Sequence, residues 1–293
     1  MISFRPELVR RQTIVERYLE ELFVEKSNYC ILQEAMRYSL LAGGKQLRPV
    51  LVMSFSEAVG GPVDEVLPAA CAIELVHTYS LIHDDLPCMD NDDYRRGKLT
   101  CHKTYGEDIA TLAGDALQAA AFRLLAEQPG DPAKILRCVH ILAQGAGEDG
   151  MVAGQILDLR GEKQMLDETE LREVHAHKTG DLIRAACQMG AVLGGGSESQ
   201  IQAAGEFAMA LGMAFQIRDD MLDEIGSRRH LGKPIGSDIA NGKSTFITIH
   251  GIQECQRLVE RETSKALLSL ERGGFATTEF IRTLSELLVS RNH

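Results

Sequence analysis

The chain has 293 residues, of which 44% are hydrophobic and 25% are charged, a composition typical of a folded globular protein and not of a disordered one. Lys and Arg number 31 and Asp and Glu number 42, so the formal net charge is −11. Because nucleic-acid affinity comes mostly from neutralising phosphates, this charge balance excludes general nucleic-acid binding. An anionic ligand would have to meet a local cluster of Lys and Arg or a bound metal ion.

No stretch approaches the roughly 18 consecutive apolar residues of a membrane-spanning helix, so no membrane span is expected. The seven cysteines are scattered, odd in number and never spaced as C-x-x-C, which argues against a disulfide framework or a zinc site. A reducing compartment is the simplest interpretation of that cysteine usage. The N-terminus also lacks the pattern of a secretory signal, so we expect a cytoplasmic protein or an already cleaved mature form.

The predicted elements are helical along almost the whole chain. Apolar residues recur at three- and four-residue steps from Ile201 to Phe215, as on the buried face of a helix. No clean apolar and polar alternation with hairpin turn signals indicates a sheet. Breakers lie at Gly43-Gly44, Gly60-Gly61-Pro62, Pro129 to Pro132, Gly194 to Ser197, Gly232 to Gly236 and Gly273-Gly274. The pattern predicts one all-α domain over 1–293 with about ten helices.

The first acidic cluster follows the apolar run His77 to Ile82 and contains Asp84, Asp85 and Asp90. In a continuous helix Asp84 and Asp90 would point about 240° apart. They can share a site only if the helix ends or distorts between them, and Pro87 makes such a break plausible.

The second acidic cluster is Asp219-Asp220-Met221-Leu222-Asp223, at the end of an apolar helix. Asp219 and Asp223 are four residues apart and therefore share one helical face. Like charges at this spacing destabilise a helix, and a bridging dication removes that cost. Mg²⁺ fits, because it binds one or two carboxylates and completes its coordination with water and substrate phosphate.

Basic residues accompany both clusters. Arg95-Arg96 follows the first cluster, and Arg binds phosphate oxygens bidentately. Further candidates lie in Gly44-Lys45-Gln46-Leu47-Arg48, in His177-Lys178-Thr179-Gly180 and at Lys233. Gly242-Lys243-Ser244-Thr245 is similar to the end of a P-loop, but Ser237 occupies the position of the first required Gly, so we reject a nucleotide site and keep Lys243 as a phosphate contact.

Taken together, these motifs resemble those of the trans-type polyprenyl diphosphate synthase family, and are most similar to those of bacterial farnesyl diphosphate synthases. The resemblance spans nearly the whole chain. Its motifs occur in family order at family spacing: Gly44-Lys45-x-x-Arg48-Pro49, Asp84-Asp85-x-x-x-x-Asp90, Arg95-Arg96-Gly97, Leu112-Ala113-Gly114-Asp115, Gly154-Gln155-x-x-Asp158, His177-Lys178-Thr179-Gly180, Phe215-Gln216-x-x-Asp219-Asp220-x-x-Asp223 and Gly242-Lys243-Ser244-Thr245.

The resemblance implies a single helical bundle around a central cavity, with the two Asp clusters facing each other across its mouth. It further implies roles for individual residues, and a homodimer. Asp84, Asp90 and Asp219 would hold Mg²⁺ ions that bind an allylic diphosphate, supported by Asp85 and Asp223, and Asp220 would also be catalytic. Arg95, Lys178 and Lys233 would contact that diphosphate, whereas Lys45, Arg48, His77 and Arg96 would bind isopentenyl diphosphate. Carbonyl dipoles near Lys178 and Thr179, with the Gln216 side chain, would stabilise the allylic cation, and Asp158 would orient the basic groups.

The implied reaction is head-to-tail condensation of isopentenyl diphosphate with dimethylallyl or geranyl diphosphate, in which the released diphosphate takes the proton. Tyr79, with Ser80 beside it, occupies the position where an aromatic ring limits product length in the family, which implies a C15 product. The segment Pro87 to Asp92 is also similar to that of plant geranylgeranyl synthases, so a C20 product stays open. Gln46 and Leu99 depart from the family pattern, and we expect these departures to affect substrate affinity and not activity.

Other functions stay open on the sequence. A phosphohydrolase would need further metal ligands, for which His77, His102, His175 and His177 are available. A class I terpene cyclase usually carries a different second motif. A non-catalytic, prenyltransferase-like subunit typically loses one Asp cluster, whereas both are intact here.

Overall fold

The computed structural model describes residues 4–24, 28–225 and 244–290, and most of them are helical, which confirms the all-α prediction. The α-helices are α1 (Phe4–Glu21), α2 (Cys30–Leu40), α3 (Leu47–Ala58), α4 (Leu67–Asp84), α5 (Cys101–Tyr105), α6 (Glu107–Ala126), α7 (Pro132–Ala146), α8 (Met151–Gly161), α9 (Glu168–His175), α10 (Asp181–Leu193), α11 (Glu198–Ile225), α12 (Phe246–His250), α13 (Ile252–Arg272) and α14 (Glu279–Ser290). One turn of π-helix, Ala176–Gly180, joins α9 to α10. The segments outnumber the predicted ten partly because single glycines, Gly106 and Gly251, each separate two helices.

A short hairpin interrupts the helices. Strand β1 (Tyr94–Arg95) pairs antiparallel with β2 (Lys98–Leu99). The two residues between them, Arg96 and Gly97, both have positive φ, at 54° and 76°, which suits the tight turn of a two-residue hairpin. A sheet of two residues per strand is too short to produce the alternation that sequence analysis looks for.

Helix α4 is buried on nearly every side until it ends at Asp84. An apolar helix of this kind forms the centre of a helical protein. Helix α6 packs closely on its end: a Cβ on Gly114 would lie 2.1 Å from Nε2 of His83. A side chain at position 114 would therefore meet the His83 ring, which lies one residue before Asp84.

Among the described residues, one helix, α6, is long and apolar enough to cross a membrane by length and composition alone. The core helices of soluble proteins pass the same test, and 44% of its most apolar window is buried inside this protein. The finding is weak evidence for a span. The absence of a membrane span and the single domain over 1–293 stay predictions.

Candidate active site

The first acidic cluster lies where α4 stops. The helix ends at Asp84, and the backbone N–H of Asp90 donates to the carbonyl of Asp84 at 2.9 Å, which folds the following loop back on the helix end. The predicted break before Pro87 is therefore confirmed. Because of this turn, the backbone of Asp90 lies next to that of Asp84, and the two residues do not point about 240° apart as they would in a continuous helix.

Two residues of α8 reach this cluster from the other side. The Gln155 amide donates to Oδ1 of Asp84 at 2.8 Å, and Asp158 accepts from the ammonium of Lys178 at 2.6 Å. The same Nζ lies 3.6 Å from Oδ2 of Asp84. The expectation that Asp158 orients a basic group agrees with this geometry. Lys178 thus connects the acidic end of α4 with α8.

The second acidic cluster borders the same region. A cavity of about 310 Å³ lies between α8, α9, the π turn and α11. Its lining includes Asp158, His175, Lys178, Thr179, Gln216, Asp219, Asp220, Asp223 and Thr245. Asp219 and Asp223 do share one face of a continuous helix, as their spacing predicted. Lys178 is common to this cavity and to the first cluster, so the fold brings the two clusters to one site.

Partial burial shifts the pKa values of ionisable groups in the site. Burial lowers the pKa of Lys178, but the carboxylates of Asp84 and Asp158 outweigh it, so the pKa is raised overall. Burial raises the pKa of Asp85 although Arg95 opposes it. Arg95 places Nε at 2.7 Å and Nη2 at 2.6 Å from one oxygen of Asp85. Asp85 and Arg95 therefore form a close ion pair.

Lys178 and Thr179 belong to the turn of π-helix, and this feature was not predicted. Such turns insert an extra residue and frequently occur at functional sites. Helix α8 approaches the turn so closely that a Cβ on Gly154 would lie 2.1 Å from the backbone nitrogen of Lys178. The glycine of the Gly154-Gln155-x-x-Asp158 motif therefore allows the backbone contact on which the Lys178 position depends.

Asp220 differs from its neighbours in the second cluster. Its Oδ2 accepts the backbone N–H of Phe246 at 2.8 Å, which anchors the start of α12 to α11. A structural role is therefore visible for this carboxylate, whereas its catalytic role stays a prediction.

We expect Asp220→Ala to lower the free energy of unfolding by about 1–3 kcal/mol, since it leaves the Phe246 N–H without its acceptor. Urea denaturation of the two proteins measures this change. Asp220→Asn keeps an acceptor oxygen and should recover most of the stability. Equal losses for both variants would contradict the anchoring role.

A second pocket, of about 340 Å³, collects the other predicted basic residues. It is lined by Gly44, Lys45, Gln46, Leu47, Arg48, Glu74, His77, Arg96 and Phe215. Phe215 and Gln216 are consecutive on α11, and one lines this pocket while the other lines the acidic cavity. The two pockets are therefore neighbours, which suits two substrates that must meet.

The positive charge in this second pocket is carried by Lys45, Arg48 and Arg96. Burial and the nearby arginines hold the pKa of His77 well below its usual range, so the imidazole is neutral. Burial lowers the pKa of Arg48 to about 10, and its Nε is buried without a hydrogen-bond partner.

One residue of this pocket, Glu74, was not predicted from the sequence. Its side chain is buried, at 4% exposure, and it lines the pocket with the basic residues. Its spacing three residues before His77 on one helix face was the available signal.

The hairpin separates the two consecutive arginines. Arg95 contacts the first acidic cluster, whereas Arg96 lines the basic pocket and donates a hydrogen bond to the carbonyl of Gly43. Arg96 and Gln46 both have positive φ, at 54° and 45°, which is unusual for residues with a side chain. Such strain is often found at functional sites.

The remaining predicted residues have different positions. Lys233 and Lys243 lie outside the described residues. Tyr79 is 5% exposed and packs edge-on against the His83 ring, with centroids 5.8 Å apart. Neither the acidic cavity nor the basic pocket is lined by Tyr79 or Ser80. Their effect on product length stays a prediction.

A larger groove among the described residues, about 820 Å³, lies elsewhere and contains none of the predicted site residues. Its cations are ion-paired: Arg137 with Glu198, Arg184 with Asp181 and Lys265 with Glu262. Size therefore does not identify the site here, and we assign the chemistry to the two smaller pockets because they hold the converging charges.

The four histidines of the phosphohydrolase hypothesis do not converge. His77 lines the basic pocket and His175 lines the acidic cavity, while His102 contacts Thr100 and His177 contacts Asp181. Within residues 4–24, 28–225 and 244–290, no three His, Cys, Asp or Glu side chains are close enough to hold one metal ion among them. A histidine-rich hydrolase centre has no support in this part of the chain.

Comparison with known proteins identifies the family. The polyprenyl synthetase family model matches residues 30–273. The chain is 43% identical to the farnesyl diphosphate synthase of Geobacillus stearothermophilus, covering 96% of this chain and 94% of that one. Its structure superposes on that of a geranylgeranyl pyrophosphate synthetase from Pyrococcus horikoshii with a TM-score of 0.91 at 31% identity, covering 98% of each chain. It superposes on a geranyltransferase from Helicobacter pylori, complexed with magnesium and isoprenyl diphosphate, with a TM-score of 0.86 at 30% identity, covering 99% of this chain and 97% of that one. The resemblance found in the motifs is therefore confirmed, and the chain belongs to the polyprenyl synthetase family of prenyltransferases.

Proposed function

We propose that the protein is a Mg²⁺-dependent prenyltransferase that condenses isopentenyl diphosphate with an allylic diphosphate to give mainly farnesyl diphosphate. The observation that carries this proposal is the pair of neighbouring pockets on α11. One presents carboxylates and Lys178, as a metal-bound diphosphate requires, and the other presents three cations for a diphosphate without metal.

The residues present fit Mg²⁺. The acidic cavity offers hard carboxylate oxygens from Asp219 and Asp223, with Asp84 reaching Lys178 at its edge. Mg²⁺ is usually held by one or two carboxylates plus water and phosphate, so no three-carboxylate cage is needed. Asp84, Asp90 and Asp219 would hold the ions. The magnesium present in the Helicobacter pylori structure supports the choice of metal. When bound, the metal stabilises negative charge on the leaving diphosphate.

Different residues of the chain bind the two substrates and stabilise the charges that develop in the reaction. Lys178 contacts the allylic diphosphate and stabilises it as the allylic C–O bond breaks. Thr179 and Gln216 present polar groups near the resulting allylic cation. Lys45, Arg48 and Arg96 hold isopentenyl diphosphate so that its double bond attacks the cation and forms the new C–C bond. Loss of a proton to the released diphosphate completes the reaction, and the apolar walls exclude water.

The C15 product is the finer part of the proposal. The Geobacillus relative supports a farnesyl product, whereas the Pyrococcus structure is named for a C20 product. Geranylgeranyl diphosphate is therefore the alternative. A non-catalytic subunit is disfavoured, because both acidic clusters are present and meet at one site.

The test is product analysis with Mg²⁺, isopentenyl diphosphate and either dimethylallyl or geranyl diphosphate, followed by dephosphorylation and sizing of the alcohols. A C15 alcohol is expected. A C20 alcohol would contradict the product assignment and keep the enzyme class. No elongation by folded protein would contradict the proposed function altogether.

We expect Tyr79→Ala to lengthen the main product, because removal of a buried ring opens space beside α4, five residues before Asp84. The ratio of C20 to C15 alcohols measures the effect and should rise several-fold. Tyr29→Ala, at an exposed tyrosine near α2, is the control and should leave the ratio unchanged. An unchanged ratio in Tyr79→Ala would contradict a chain-length role.

A homodimer and a cytoplasmic location complete the proposal. The seven cysteines are all free thiols, which supports a reducing compartment. Helix α6 exposes Leu112, and α7 exposes Leu136, at 54% and 70%, which offers apolar surface for a second copy. Light scattering of the purified protein would establish the oligomeric state.

A further inference from the structure

A buried carboxylate lies in the pocket that we assign to isopentenyl diphosphate. Glu74 is on α4, is 4% exposed, and lines the pocket with Lys45, Arg48 and Arg96. An acidic group in an anion-binding pocket opposes the binding of the anion, so its presence requires an explanation.

The electrostatics connect Glu74 with both arginines. Burial raises the pKa of Glu74, and Arg48 and then Arg96 oppose that rise. In the other direction, Glu74 counteracts the burial that lowers the pKa of Arg48 and of Arg96. Arg96 itself destabilises the charge on Arg48. The two guanidiniums repel each other, and one carboxylate stabilises both.

We propose that Glu74 is the resident counter-anion of this pocket: it stabilises Arg48 and Arg96 while the pocket holds no diphosphate, and it weakens the binding of a diphosphate to the same two groups. Glu74 is thus a positioning residue that sets affinity. The role rests on the proposed function, which gives this pocket its diphosphate.

The reaction gives a reason for limiting the affinity. When the allylic C–O bond breaks, the diphosphate of the allylic substrate leaves, while the diphosphate of the isopentenyl unit stays attached to the lengthened product. The new product therefore still holds its diphosphate in the basic pocket. That diphosphate must leave before another isopentenyl diphosphate can bind, and a carboxylate beside the two guanidiniums favours its departure.

The experiment compares the wild type with Glu74→Gln, which keeps the shape and removes the charge. Binding of inorganic pyrophosphate is measured by calorimetry without Mg²⁺, so that the acidic cavity, which needs metal, does not compete. We expect pyrophosphate to bind Glu74→Gln about tenfold more tightly, since one nearby like charge has been removed. We also expect the variant to melt lower without the anion and to gain more in melting temperature when pyrophosphate is added.

Two further variants serve as controls. Glu74→Asp retains the charge and should bind pyrophosphate within about threefold of the wild type, as differences below half a decade mean under 1 kcal/mol. Glu262→Gln removes an equally buried carboxylate, 4% exposed, that pairs with Arg172 and Lys265 away from the pocket. It should lose stability without any change in pyrophosphate affinity.

Unchanged or weaker pyrophosphate binding by Glu74→Gln would overturn the proposal. If this variant does not fold without the anion, refolding in pyrophosphate should recover it, and failure to recover while Glu74→Asp folds normally would also overturn it. Because the binding assay needs no turnover, it is separate from the proposed function. Wild-type protein that binds pyrophosphate but elongates nothing would contradict the function and leave the Glu74 comparison intact.

Discussion

Asp84→Asn is expected to reduce kcat by about 10³-fold, a loss of roughly 4 kcal/mol of transition-state stabilisation. The substitution preserves the shape of the side chain and an oxygen for the Gln155 amide, which now lies 2.8 Å away. It removes the charge that we assign to Mg²⁺ and that faces Lys178 at 3.6 Å. Steady-state elongation of geranyl diphosphate with saturating Mg²⁺ measures the effect.

Asp93→Asn is the matched control from the same loop. The Asp93 side chain is 61% exposed and pairs with Lys103 at 2.8 Å, away from the cavity. Exposed pairs of this kind contribute little, so kcat should stay within about twofold of the wild type. Melting temperatures of both variants show whether they are folded. Wild-type activity in folded Asp84→Asn would refute the metal-binding role of Asp84.

Gly154→Ala is expected to impair both stability and activity. Its Cβ would lie 2.1 Å from the backbone nitrogen of Lys178 and 2.4 Å from the Cα. Backbone atoms cannot rotate away as a side chain can, so α8 and the π turn must separate. Forced overpacking costs about 1–3 kcal/mol of stability. A displacement of about 1 Å at Lys178 can reduce kcat about 10²-fold.

Gly205→Ala is the control for this substitution. Gly205 is in the interior of α11, and its added Cβ would meet the end of the flexible Gln188 side chain at 2.8 Å. Alanine is a better helix former than glycine by up to about 1 kcal/mol, so stability should be unchanged or higher. Urea denaturation and kcat are measured for both variants. Wild-type behaviour of Gly154→Ala would show that the close contact between α8 and the π turn is not needed.

The predictions that rest on residues close together in the sequence agree with the structure. Asp219 and Asp223 share a face because four residues make about one helical turn, and α4 ends before Pro87 because proline disfavours helix in the preceding residue. The all-α class followed from apolar periodicity over many residues. The hairpin and the π turn were not predicted, because each is too short to impose a period.

The chemical groups and their local geometry can be derived from the sequence alone: helices, the two acidic clusters and the family motifs that contain them. Which of these groups meet depends on the tertiary structure. Gln155 contacts Asp84 across 71 residues of chain, and Lys178 connects Asp84 with Asp158. The carboxylate of Glu74 lines one pocket with Arg48 and Arg96, which lie on other elements of the chain. Such contacts depend on how helices distant in sequence pack, and packing is set by the whole core, whereas helical periodicity is set by hydrogen bonds within one turn.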